Sequence, residues 1–70
     1  MEKYQIHWVS NMNTQIEKDG FLYGNNKEIL KKEAIKMLKK EMVLKRQTGR
    51  YFLYDLSLGR SSNPIEEKVI

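Results

Sequence analysis

From Lys27 to Gln47 the chain runs without Gly or Pro, and its Leu, Lys, Glu, Met, Ile and Ala content is that of a strong helix former. No other segment restricts the fold as much. At about 100° per residue, Leu30, Ala34, Met37, Leu38, Met42 and Leu44 gather on one broad face with Ile35 at its margin, while Ile29 and Val43 project elsewhere. Such a helix must lay its apolar face on another layer. Asn25 is placed to cap its start, with Glu28 three residues on as in a capping box, because the Asn oxygen can accept from an unpaired first-turn N–H. Thr48-Gly49 is placed to end it, since Gly just past a last turn takes the left-handed conformation that closes a helix.

The flanking segments supply the other layer. Tyr4, Ile6 and Trp8 alternate with Gln5, His7 and Val9, the period-two pattern of a half-buried strand. Turn formers follow at Ser10 to Asn13, and Thr14 to Glu17 offers a second strand. Asp19-Gly20 is the strongest short hairpin signal in the chain, because a two-residue turn needs Gly's freedom. Phe21-Leu22-Tyr23 reads as a further short strand or the far end of a longer one. Arg50 to Leu58 is the clearest strand: Phe52, Tyr54, Leu56 and Leu58 share one face, and Tyr51, Leu53, Asp55 and Ser57 the other. On that pattern the helix is expected to cover Phe52 and Tyr54, leaving Tyr51 outside. Asn63-Pro64-Ile65-Glu66 has the order of an N-cap, a first-turn Pro and an acid, which argues for a short helical turn. A closing edge strand through Val69-Ile70 is the competing reading. The expected fold over residues 1–70 is one small two-layer α+β domain, a short antiparallel sheet in the order β-β-α-β packed on one long amphipathic helix, with a C-terminal helical turn or edge strand.

With 70 residues, such a chain buries only about 60% of the surface its unfolded form exposes. Small scaffolds compensate with disulfides, a metal or a partner, and here Cys is absent and His7 is the only histidine. Association is the remaining route. No apolar run is long enough to span a membrane, so a membrane partner is not expected, and a cytoplasmic, reducing setting agrees with the lack of cysteine.

Catalytic chemistry finds little to work with. A lone His on a strand cannot build a zinc site, no acid adjoins it in sequence, and Asp19 and Asp55 stand singly where turn chemistry explains them. Neither G-x-x-x-x-G-K nor G-x-G-x-x-G occurs, so no phosphate-cradling loop is encoded. No enzyme activity and no cofactor are expected.

What remains is electrostatic. Thirteen Lys and Arg against nine Asp and Glu leave a formal charge of +4, concentrated between Lys31 and Arg46. Lys32, Lys36 and Lys40 recur every fourth residue with Lys39 and Arg46 beside them, so their side chains stack along one side of the helix. Glu28 is placed to relieve Lys32, Glu33 Lys36, and Glu41 Lys45. The bland account is a solvated helix face; the functional one is a surface for an anion. An acidic protein partner is favoured over direct, low-specificity nucleic-acid binding, because the charge is modest and the interspersed acids dilute the ridge. Lys32, Lys36, Lys39, Lys40, Arg46, Arg50 and Tyr51 are the candidate contacts, Tyr51 as an exposed ring beside Arg50. Self-association into a homodimer through Ile29, Val43 or an edge strand is compatible with either reading.

Overall fold

The computed structural model describes residues 2–12, 15–42, 47–59 and 63–70. The chain runs through β1 (Tyr4–Met12), β2 (Gln15–Gly24), α1 (Lys27–Glu41), β3 (Gln47–Asp55), a 3₁₀ turn (Leu56–Leu58) and β4 (Glu66–Val69). All neighbouring strands pair antiparallel in the order β2-β1-β3-β4, and α1 packs on one face of this sheet. This is the expected two-layer α+β arrangement, with the C-terminal segment resolved in favour of an edge strand. Ile65 N–H donates to the Leu53 carbonyl and Ile70 N–H to that of Gly49, so backbone bonds to β3 bracket β4, and a helical turn at Pro64 would forfeit them.

The core follows from the register. Ile6 lies opposite Leu53 and Trp8 opposite Tyr51, and directly opposed residues of an antiparallel pair share a face. These four meet Leu30, Ala34 and Leu38 of α1 in one buried cluster, with Tyr4, Leu22, Ile35, Met37, Met42 and Ile70 packed around it. Leu38 and Ala34 are 0% exposed, so the apolar helix face meets the sheet as its spacing requires.

Five local expectations are corrected. Asp19-Gly20 is not a turn: both residues lie within β2, which pairs with β1 from Tyr4↔Gly24 to Met12↔Gln15. A continuous strand wins because Gly20 sits opposite Trp8 and leaves room for the indole, whose nearest atom would be 2.6 Å from a Cβ there. Asn26, not Asn25, caps α1, accepting from the N–H groups of Glu28 and Ile29, while Asn25 Oδ1 accepts from Lys3 N–H. The helix ends at Glu41 rather than near Gln47, Met42 N–H closing it on the Leu38 carbonyl. Thr48-Gly49 belongs to β3, and Gly49 lies under the last turn, where a Cβ would meet Met42 Sδ at 2.6 Å. Finally, the faces of β3 are reversed. Tyr51 and Leu53 are buried, and Phe52 and Tyr54 occupy the sheet face that α1 does not cover. Leu56 and Leu58 had tipped the sequence pattern toward the wrong face, but they belong to the 3₁₀ turn that Asp55 caps by accepting from Ser57 N–H and Oγ–H. Leu44 and Val43 lie outside the described residues.

Candidate functional site

The outer side of α1 carries Lys32, Lys36, Lys39 and Lys40, all exposed. None of the four forms an ion pair among the described residues. Of the acids placed to relieve the helix lysines, two are engaged elsewhere: Glu28 lies 3.4 Å from Lys31, and Glu41, expected opposite Lys45, lies 3.0 Å from Lys18 across the gap to β2. Glu33 has no ion pair among the described residues, and Lys45 lies outside them. The exchange at Glu41 is invisible to the sequence pattern because Lys18 approaches from another element, whereas Glu28 has taken its i,i+3 neighbour within α1.

Three of the four border clefts. Lys36 and Lys40 rim a groove of about 250 Å³ between α1 and β2, whose apolar part is Leu22 and Met37, with Glu33 at its margin. On the opposite flank, Lys32 joins Lys31, Ile35, Tyr51 and the β4 residues Glu66, Glu67 and Lys68 around a cleft of about 370 Å³. Its interior is already paired. Lys31 Nζ donates to Glu66 Oε1 at 3.1 Å, and Tyr51 Oη donates to Glu66 Oε2 at 3.0 Å. The Lys31 hydrogen bond, then that from Tyr51, holds the Glu66 carboxyl below its ordinary range. The same bond raises Lys31, and burial chiefly, with the Glu66 bond, raises the Tyr51 phenol.

Two candidate contacts therefore do not belong to the ridge. Tyr51 is 2% exposed beneath α1 and serves the core and the Glu66 network, not a stacking surface. Arg50, one position along the strand, projects from the opposite sheet face and lies 3.4 Å from Glu67. Arg46 lies outside the described residues.

The uncovered sheet face holds residues that one-dimensional reading missed. His7 stacks on Phe21 with ring centroids 4.6 Å apart and leans toward Phe52 at 6.2 Å. Its Nε2 lies 2.9 Å from Asp19 Oδ2, an acid brought from β2 although none adjoins His7 in sequence. Phe21 and Tyr23 are each more than half exposed. Their signal in the sequence was the uncharged run Gly20 to Gly24.

Among the described residues no helix is long and apolar enough to cross a membrane, and no group of three His, Cys, Asp or Glu side chains is arranged to hold a metal ion. Compared with known proteins, the chain matches no family model, no curated protein and no solved structure.

Proposed function

We propose that this chain is a non-enzymatic interaction protein of the cytoplasm that binds an acidic surface of a partner protein through the outer face of α1, and regulates or inhibits that partner by occupying it. The observation that carries the reading is the state of the ridge. Lys32, Lys36, Lys39 and Lys40 are exposed and without ion pairs among the described residues, although like charges at four-residue spacing oppose the helix that bears them. An acidic partner would relieve that repulsion and gain association rate and orientation from it. The groove beside Lys36 and Lys40 favours a protein over a bare phosphate backbone, because Leu22 and Met37 give it an apolar lining that phosphates do not use.

Direct binding of a single-stranded nucleic acid is the second reading, favoured by the Phe21–His7–Phe52 row, since exposed rings on an open sheet can stack unpaired bases. Against it, Asp19 and Glu67 sit beside two basic side chains of that face, His7 and Arg50.

The deciding experiment is affinity capture from the host's lysate with the parent protein and with Lys32, Lys36, Lys39 and Lys40 all changed to Gln. The parent is expected to retain a stoichiometric protein that the variant loses. Recovery of no such protein, or equal recovery by both, overturns the proposal. If single-stranded oligonucleotides bind instead, the logarithmic salt slope should fall by roughly 0.7 for each ridge lysine that contacts a phosphate.

A further inference from the structure

We infer that the groove between α1 and β2 receives an extended acidic segment of the partner, which adds to the sheet as a strand beside β2. The inference rests on the basic-face reading above and specifies its ligand. Three observations converge on it. First, β2 is the outermost strand of the sheet, and among the described residues no backbone bond is made to the outer edge of its Gly20 to Gly24 half. Natural edges are usually blunted by charges, bulges or Pro. Here that protection is confined to one half: the register skips Glu17, and Lys18 and Asp19 follow, whereas Gly20 to Gly24 carries no charge and no Pro.

Second, the unprotected half borders the groove. Leu22 points toward α1 and lines it with Met37, while Lys36 and Lys40 stand over its rim without ion pairs among the described residues. Third, the other side of the same half is apolar and exposed, at 52% for Phe21 and 55% for Tyr23. A strand laid against Gly20 to Gly24 would thus meet different chemistry on its two sides. Side chains on the helix side find an apolar floor under two ammonium groups, and those on the sheet side find aromatic rings. Same-side positions recur every ~6.6 Å along a strand, and lysine's charge rides on a flexible four-carbon stem. One aliphatic residue over Leu22 and Met37, with a carboxylate at the next helix-side position on each flank, satisfies the groove and both lysines. Aliphatic residues at the intervening positions cover Phe21 and Tyr23. Backbone bonds supply affinity in this mode, and the alternating pockets supply selectivity.

The capped peptide Val-Glu-Val-Leu-Val-Glu-Val has this pattern and reads the same way whichever direction it adds. Titrated into the isotope-labelled full chain, it is expected to shift backbone amide signals of Gly20 to Gly24 and to lose affinity about two- to thirtyfold with Lys36→Gln and Lys40→Gln combined, the value of two exposed charge pairs. Because a strand bonds its neighbour through alternate residues, N-methylation at one set of alternate positions should abolish binding while the other set is tolerated. If neither set matters although the peptide binds, strand addition is overturned and the basic-face reading stands. If a Lys-for-Glu peptide binds equally well, both fall. Absence of binding at millimolar peptide overturns the strand proposal alone, since lysate capture judges the other reading separately. A self-paired β2 edge that peptide cannot displace, seen as a dimer in sedimentation, or an oligonucleotide that shifts the same amides in preference to the peptide, also overturns it.

Discussion

Replacement of Gly20 by Ala tests the placement of the central tryptophan. A Cβ on Gly20 would lie 2.6, 2.7 and 2.9 Å from Cζ2, Cε2 and Nε1 of Trp8, well inside the ~3.5–4.0 Å at which carbon atoms pack. The indole is 7% exposed within the cluster beneath α1, so it can yield only by rotating against the core. Such overpacking costs about 1–3 kcal/mol. Alanine recovers about 0.5–1 kcal/mol in a strand interior, where glycine is entropically poor. The net loss is about 0–2.5 kcal/mol, centred on about 1 kcal/mol, which in a domain of this size lowers the melting temperature by roughly 4–8 °C at the centre of that range. Gly24→Ala is the control: its Cβ first meets Leu30 Cδ1 at 3.5 Å, an ordinary contact, and the variant should melt at or slightly above the parent. Thermal unfolding followed by far-ultraviolet circular dichroism gives the stability difference. The near-ultraviolet signal of the single Trp reports the ring's rotation. A Gly20→Ala protein that melts with the parent and keeps its Trp spectrum would refute the reasoning, because the indole could not then lie over that backbone.

Leu38→Ala removes a fully buried side chain at a cost of about 2–5 kcal/mol; urea titration should show a protein at or beyond the edge of folding, and a near-parental midpoint would contradict the packing. Asn26→Ala should cost about 1 kcal/mol through loss of the cap, whereas Asn25→Ala should leave helicity nearly unchanged, and reversal of that order would restore the cap read from sequence. The Glu66 carboxyl titrates below its ordinary value of 4.5 in the folded chain, so the unfolded chain takes up its proton first as pH falls. Its contribution is whole above that ordinary value and disappears as pH falls through the folded one. The stability gap between the parent and Glu66→Gln, measured by urea titration across pH, should be wide at neutrality and close in acid. Lys31 and Tyr51 are shifted upward from 10.5 and 10.0, so their contributions hold below those values and fade as pH rises through the folded ones. Lys36→Gln with Lys40→Gln should leave the fold intact or stabilise it by a few tenths of a kcal/mol; a clear drop in melting temperature would show that these lysines serve the fold.

Local readings succeeded where one segment contains its own cause. The helix follows from a Gly-free run with a repeating apolar face, and β1 from strict alternation around Ile6 and Trp8. They failed where the deciding neighbour is distant. Asp19-Gly20 has turn chemistry, yet Trp8 claims Gly20 as the space beneath its ring. Leu56 and Leu58 pointed to the wrong face of β3 because the apolar alternation continues past Asp55, and the Asp55 cap on Ser57 that ends the strand is no part of that alternation. The site divides the same way. The lysine ridge is legible from spacing, but Arg50 is separated from it by the sheet, Tyr51 is buried beneath the helix, and the groove formed by Leu22 and Met37 exists only once β2 lies beside α1.

By itself, the sequence determined an amphipathic helix with an outer row of ammonium groups, and a half-buried strand with Ile6 and Trp8 facing inward, because periodicity sets which side chains share a face within one element. Tertiary structure alone decided that Glu41 is spent on Lys18, which face of β3 is covered, and that β2 is the outermost strand, beside the ridge. Those outcomes depend on pairing between segments far apart in the chain, and a pattern within one segment carries no information about the register it will adopt against another.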